Sequence, residues 1–162
     1  MSLSIQQLER KLDEMFEMVD ALPNNEAKAR LAEYLCIRTS GLLEKVVKQL
    51  ISEFIEGSQQ ETNKFVSSKI QMVSNLNHPK LKKLLESFSM EWRSAYLESA
   101  SVQEIASLNS ILDLRNSIAH GGSQTTSYGI VKGHYDNVKS VIGRLKVIIR
   151  KRGRQDRVRR AA

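Results

Sequence analysis

The stretch RLAEYLCIRTSGLLEKVVKQLISEFIE, residues 30–56, decides the fold of this chain. Its apolar residues recur in pairs at every turn, with the three- and four-residue spacing of one helix face, and they are Leu31, Ala32, Leu35, Cys36, Leu42, Leu43, Val46, Val47, Leu50, Ile51, Phe54 and Ile55. No proline interrupts the pattern, Gly41 is its weak point, and Gly57 can end the helix. We therefore predict a helix over about residues 26–56, which would span ~45 Å and form the central rod of a bundle.

Shorter amphipathic segments lie on both sides of this helix. An N-terminal helix precedes it, and Asn24 or Asn25, directly after Pro23, can cap the long helix. Further helices are predicted over residues 62–73, over residues 79–88 with Pro79 at the first helical position, from Ser89, from the capping box Ser101–Glu104, and over residues 130–150. Because no alternating strand pattern competes, the predicted fold class is all-α, a helical bundle with one long central helix.

The net charge of +7 is concentrated at the C-terminal end of the chain. Residues 144–162 contain nine Lys and Arg and one acid, a net charge of +8, which leaves −1 for the other residues. Such a run attracts phosphate backbones by counterion release, and it fits equally well a solvated helix end with a disordered tail. We divide the chain into a helical bundle, residues 1–150, and a basic C-terminal tail, residues 151–162.

Several classes of protein are disfavoured by the sequence. The single cysteine, Cys36, excludes an internal disulfide and a Cys-rich zinc site, and the three histidines are far apart in the sequence. No run of about 18 apolar residues would span a membrane, and the N-terminus lacks a secretory pattern. Phosphate-loop, dinucleotide and zinc-protease motifs are missing as well. We expect a cytoplasmic protein with no cofactor, no metal ion and no membrane partner.

The stretch RNSIAHGG, residues 115–122, is the strongest candidate site. Arg115 borders the apolar stripe of the penultimate helix, and a buried guanidinium needs an anionic partner or ligand. Arginine binds phosphate oxygens and histidine titrates near neutrality, so Arg115 and His120 suit phosphate chemistry. The small residues Ser117 and Ala119 and two glycines would leave room for a ligand. The alternative is structural, because two cations stabilise a helix C-terminus.

Other polar and aromatic residues outside this motif have simpler expected roles. Glu44 lies among apolar residues of the long helix and could hold a residue of the site in place without touching the ligand, as could Ser117. Under a purely structural interpretation, Arg115 would instead pair with Asp113 or Glu44. We expect His78 to be a cap or an exposed linker residue and His134 to be a surface residue. Trp92 and Cys36, by contrast, are expected in the core.

The pattern R-N-x3-H-G near the end of the penultimate helix resembles the HEPN domain family, whose signature is an arginine, a polar residue, three to five others and a histidine. Arg115, Asn116 and His120 match it. The helix order extends the resemblance over residues 1–150. The residue order of the motif, R-N-x-x-A-H-G, is similar to that of prokaryotic HEPN proteins of defence and toxin–antitoxin systems.

The resemblance implies a homodimer whose two motifs face each other across a cleft. It also implies metal-independent cleavage of RNA with a cyclic phosphate on the upstream product, in a toxin or defence effector with a cognate antitoxin protein as a further partner. Arg115, Asn116 and His120 would then be catalytic, and Arg150, Lys151 and Arg152 would contact RNA. The alternative is a non-catalytic member that binds a nucleotide or a partner protein.

Overall fold

The computed structural model describes the backbone of residues 3–122 and 126–161, and the side chains of these ranges up to residue 151. Within them the chain forms seven helices and no strand, namely α1 (Ile5–Asp20), α2 (Glu26–Ile55), α3 (Gln60–Gln71), α4 (His78–Phe88), α5 (Met90–Ser99), α6 (Val102–Ala119) and α7 (Tyr128–Ala161). The all-α class, the long second helix and the motif-bearing penultimate helix are thereby confirmed.

Most helix boundaries follow local capping rules. Asn25 caps α2 by accepting a hydrogen bond from the backbone of Lys28, and Ser89 caps α5. The capping box of Ser101 and Glu104 opens α6 as predicted. After α2, Gly57 adopts a φ of +88°, which the missing side chain makes inexpensive. These predictions from sequence are confirmed because each depends on residues within one helical turn.

A four-helix core supports the rest of the molecule. α2 packs against α1, α6 and α7, while α6 packs along α7. Phe16 of α1 stacks on Tyr135 of α7 with ring centroids 4.2 Å apart. The short helices α4 and α5 pack on each other and on the α6–α7 side, and α3 lies against α2. Trp92 and Cys36 are buried in this core, as expected.

The predicted bounds of three helices differ from the structure. α3 lies about two residues earlier than predicted, and α4 begins at His78, one residue before the predicted start at Pro79, because Asn77 caps it. The last helix begins at Tyr128 instead of Ile130 and continues to Ala161 instead of ending at Arg150, and no proline interrupts residues 151–161. Within the described ranges, no helix is both long and apolar enough to cross a membrane.

Two histidines are placed differently from our expectation. His134 is half-buried, and its Nδ1 atom lies 3.0 Å from Oγ of Ser107 on α6, because the α6–α7 interface covers that face of the last helix. It is therefore not a surface residue. His78 is half-buried as well, and its Nδ1 atom lies 2.9 Å from the hydroxyl of Tyr96. His78 therefore joins α4 to α5 and is not an exposed linker residue.

Candidate functional site at the C-terminal end of α6

Arg115 lies half-buried in the last turns of α6. Its Nη1 atom donates two hydrogen bonds, to Oδ1 of Asn75 at 2.7 Å and to Oδ1 of the neighbouring Asn116 at 3.1 Å. Both acceptors are neutral amide oxygens. The guanidinium is therefore held in place without being neutralised.

No ion pair joins Arg115 to a carboxylate in the part of the chain that the structure describes. The structural interpretation expected a bridge to Asp113 or Glu44, and neither contact forms there. A half-buried cation without an acidic partner has an unsatisfied preference for an anion. Arg115 therefore keeps the capacity to bind an anionic group.

Glu44 reaches the motif indirectly, through the linker between α3 and α4. Its Oε1 atom accepts the backbone N–H of Asn75 at 2.6 Å, while the side chain of Asn75 accepts from Arg115. The supporting role of Glu44 stays a prediction, and the contacts through which Glu44 would act on Arg115 run through Asn75. Asn75 itself was missed, and its signal in the sequence was only the turn-rich linker SNLNHP at residues 74–79.

His120 forms the C-cap of α6 and is exposed. Gly121 follows with a φ of +72° and donates its N–H to the carbonyl oxygen of Ile118, while Gly122 donates to that of Ser117 at 2.8 Å. These two bonds form a Schellman motif, which fixes the backbone on both sides of His120. The imidazole makes no hydrogen bond to Arg115 or to any other residue that the structure describes.

The two glycines have structural roles that the sequence only partly indicated. Gly121 supplies the left-handed residue that ends the helix, as predicted, and the space around its α-carbon is open. Gly122, in contrast, lies against the hydroxyl and carbonyl of Ser117, so that a side chain there would collide with them. Ser117 is thus covered by Gly122 on this side, and the expected room beside His120 is found at Gly121.

The first part of the basic run binds the bundle itself. Arg144 pairs with Glu104 of α6 at 3.1 Å, Lys146 pairs with Glu9 of α1, and Arg150 pairs with Glu53 of α2 at 3.1 Å. Lys151 is exposed, whereas the side chain of Arg152 lies outside the described residues. The contact of Arg150, Lys151 and Arg152 with RNA stays a prediction, and Arg150 already has an acidic neighbour.

A second polar cluster lies on the opposite half of α6. Ser107 lies within hydrogen-bond distance of His134 and accepts a bond from Nδ2 of Asn137 at 2.8 Å. Burial lowers the pKa of His134, and burial together with the charge of Lys82 lowers that of His78. The described residues contain no group of three or more His, Cys, Asp or Glu side chains suited to a metal ion.

Comparison with known protein families identifies a match over most of the chain. The model of the family described as RiboL-PSP-HEPN matches residues 4–151, which include the whole motif and six of the seven helices completely. No curated protein and no solved structure matches the chain.

Proposed function

Since the chain belongs to the RiboL-PSP-HEPN family, we propose that it is an endoribonuclease that cuts RNA without a metal ion. The observation that carries this proposal is the state of Arg115. Its guanidinium is half-buried, held by two neutral amides, and free of any carboxylate in the described part of the chain. A phosphodiester supplies the negative charge that such a group prefers.

The proposed reaction uses the ribose 2′-OH as the nucleophile. Its oxygen attacks the adjacent phosphorus, the bond from phosphorus to the 5′ oxygen breaks, and a cyclic phosphate remains on the upstream product. One proton leaves the 2′-OH and another is delivered to the departing 5′ oxygen, and His120 performs one of these transfers. Arg115 stabilises the charge that develops on the phosphate oxygens, while Asn116 holds the guanidinium.

A homodimer would complete the chemistry. One histidine can serve as the base or as the acid, whereas the reaction needs both in one turnover. A twofold axis that brings two copies of the α6 end together would supply a second His120 and a second Arg115. The exposure of His120 is compatible with such a shared cleft.

The biological setting belongs to the same proposal. We infer a cytoplasmic toxin or defence effector, controlled by a cognate antitoxin protein that covers the cleft. The basic segment from Lys151 onward carries six Lys and Arg and one acid, and it would add sequence-independent attraction for RNA. Removal of residues 151–162 should weaken RNA binding and make it less sensitive to salt.

The experiment incubates purified protein with total RNA and with tRNA, for the wild type, His120→Ala and Arg115→Ala. We expect cleavage by the wild type, a loss of at least a hundredfold in each variant, and unchanged helical circular dichroism. Cyclic phosphate on the upstream fragment would identify the 2′-OH attack. Undiminished cleavage by either folded variant, or inhibition of the wild type by EDTA, would contradict the proposal.

One observation favours a second candidate, a module that binds a nucleotide or an acidic partner without cutting RNA. The imidazole of His120 has no orienting hydrogen bond within the described residues, whereas general bases are commonly oriented by a neighbouring group. In that case a radiolabelled nucleotide would bind saturably, Arg115→Ala would abolish binding, and no product would accumulate during long incubation.

A further inference from the structure

We propose that Asn75 is a positioning residue for Arg115, an inference that rests on the proposed nuclease function. Asn75 lies in the linker between α3 and α4, distant in sequence from both of its partners. Its backbone N–H is held by Glu44 of α2, and its side-chain oxygen receives the Nη1 hydrogen of Arg115. The linker thus connects the central helix to the guanidinium of the motif.

The backbone of Asn75 supports a specific role. Its φ is +54°, and among the described residues it is the one non-glycine residue with a positive φ. Asparagine tolerates this left-handed conformation better than most residues, but it still costs free energy. The short contact with Glu44, at 2.6 Å, holds the backbone in this conformation, which aims the amide oxygen at Arg115.

The hydrogen bonds of the Arg115 guanidinium leave one of its edges available to a ligand. Asn75 and Asn116 both bind Nη1, so the hydrogen bonds that fix the group are on one side of it. The edge formed by Nε and Nη2 has no hydrogen-bond acceptor in the described part of the chain. This edge can bind two phosphate oxygens at once, which is the arrangement that gives arginine its preference for phosphate.

The neutrality of Asn75 matters as much as its position. An aspartate at this position would accept the same hydrogen bond but would pair its charge with Arg115. The guanidinium would then lose part of its attraction for a phosphodiester. Asparagine therefore combines a fixed orientation with an uncompensated positive charge.

The first test replaces Asn75 by glycine, which accepts the left-handed backbone but has no amide. We expect kcat for a short RNA oligonucleotide to fall at least tenfold, with a smaller change in KM. Nitrogen-15 NMR should show faster rotation about the Cζ–Nη1 bond of Arg115, whose signals are assigned by their loss in Arg115→Lys. Asn77→Gly is the matched control, because it removes the cap of α4 and should lower Tm without changing the Arg115 signals.

The second test separates orientation from charge. Asn75→Asp should keep the slow rotation of the Arg115 guanidinium but weaken binding of a non-cleavable 2′-deoxy oligonucleotide at least threefold. Glu44→Ala should impair cleavage only through Asn75. The double variant Glu44→Ala/Asn75→Gly should then be no slower than Asn75→Gly alone, and Glu44→Gln, which keeps an acceptor oxygen, should recover most of the activity.

The two proposals can fail separately. If the wild type cuts no RNA, the nuclease function fails, while the NMR signals and the binding of the non-cleavable oligonucleotide still decide the role of Asn75. If the wild type cuts RNA and Asn75→Gly leaves both kcat and the Arg115 signals unchanged, the positioning role is overturned. Should Asn75→Gly not fold, Glu44→Ala takes its place, and unchanged kcat and unchanged Arg115 signals in that variant would overturn the positioning role.

Discussion

Gly122 donates its backbone N–H to the carbonyl oxygen of Ser117 across 2.8 Å, and the place of a side chain on Gly122 is occupied by Ser117. We predict that Gly122→Ala lowers the free energy of unfolding by about 1–3 kcal/mol, because the new methyl group would collide with the hydroxyl and the carbonyl. Urea denaturation of the purified protein measures this change.

The control for this prediction is Gly121→Ala. Open space surrounds Gly121, so alanine there should cost about 1 kcal/mol through its left-handed backbone alone. Ser117→Ala removes the hydroxyl and should restore part of the stability lost in Gly122→Ala, but none of that lost in Gly121→Ala. Equal rescue of both glycine variants would show that the close approach is not the cause.

The thiol of Cys36 should be unreactive in the folded protein. It is fully buried on α2, its Sγ atom lies 3.6 Å from the carbonyl oxygen of Ile111, and burial raises its pKa to about 11. Because the thiolate is the reactive species, we expect a disulfide reagent at pH 8 to label Cys36 only as fast as the core opens. Rapid labelling without denaturant, compared with the same protein in urea, would contradict this placement.

The helices of this protein were largely predictable because their signals are local. The paired apolar spacing of α2, the caps at Asn25 and Ser89 and the box at Ser101 each depend on a few neighbouring residues. Boundaries shifted where another rule applied, as at Asn77, which caps α4 and starts it at His78, one residue before Pro79. The motif residues Arg115 and His120 were placed on the correct helix for the same local reason.

The surroundings of the motif could not be predicted, because they depend on contacts between distant parts of the chain. Asn75 is 40 positions from Arg115 and 31 from Glu44, and no periodic pattern relates such residues. Arg150 and Glu53 are also far apart in the sequence. Their ion pair joins α7 to α2, whereas we expected Arg150 to be free to contact RNA. Packing of α2, α6 and α7 creates these contacts.

Stability should depend on pH through His134. Burial lowers its pKa from 6.5, so the unfolded state binds the proton more strongly than the folded state does. The stability that neutral His134 contributes is therefore fully present above about pH 6.5. It is lost as the pH falls through the lower pKa that His134 has in the folded protein. We expect the free energy of unfolding to decrease by at most about 1.4 kcal/mol per pH unit through this group.

His134→Gln isolates that contribution, since glutamine is polar but does not titrate. The variant should lose less stability than the wild type between pH 7 and pH 5, measured by urea denaturation at each pH. His78 also has a lowered pKa, so the variant should keep a part of the pH dependence. Parallel pH profiles of variant and wild type would show that His134 does not contribute.

We expect the stability of the bundle to depend more on Glu104 than on any other carboxylate. It is 4% exposed, closes the capping box with Ser101, accepts a hydrogen bond from Ser140, and pairs with Arg144. Burial raises its pKa, but these hydrogen bonds and the charge of Arg144 outweigh burial and lower it. We predict that Glu104→Ala costs about 3 kcal/mol, because it leaves Arg144 and the backbone of Ser101 without their acceptor.

Glu104→Gln separates the two contributions to that loss. Glutamine can still close the capping box, so this variant should lose only about 1 kcal/mol, mainly through the pairing with Arg144. Glu26→Ala is the matched control, because Glu26 pairs with Arg30 on an exposed face of α2 and should change stability little. Urea denaturation of the three variants in low and high salt provides the measurement. If Glu104→Ala and Glu26→Ala lost the same stability, the buried network between α6 and α7 would not stabilise the bundle.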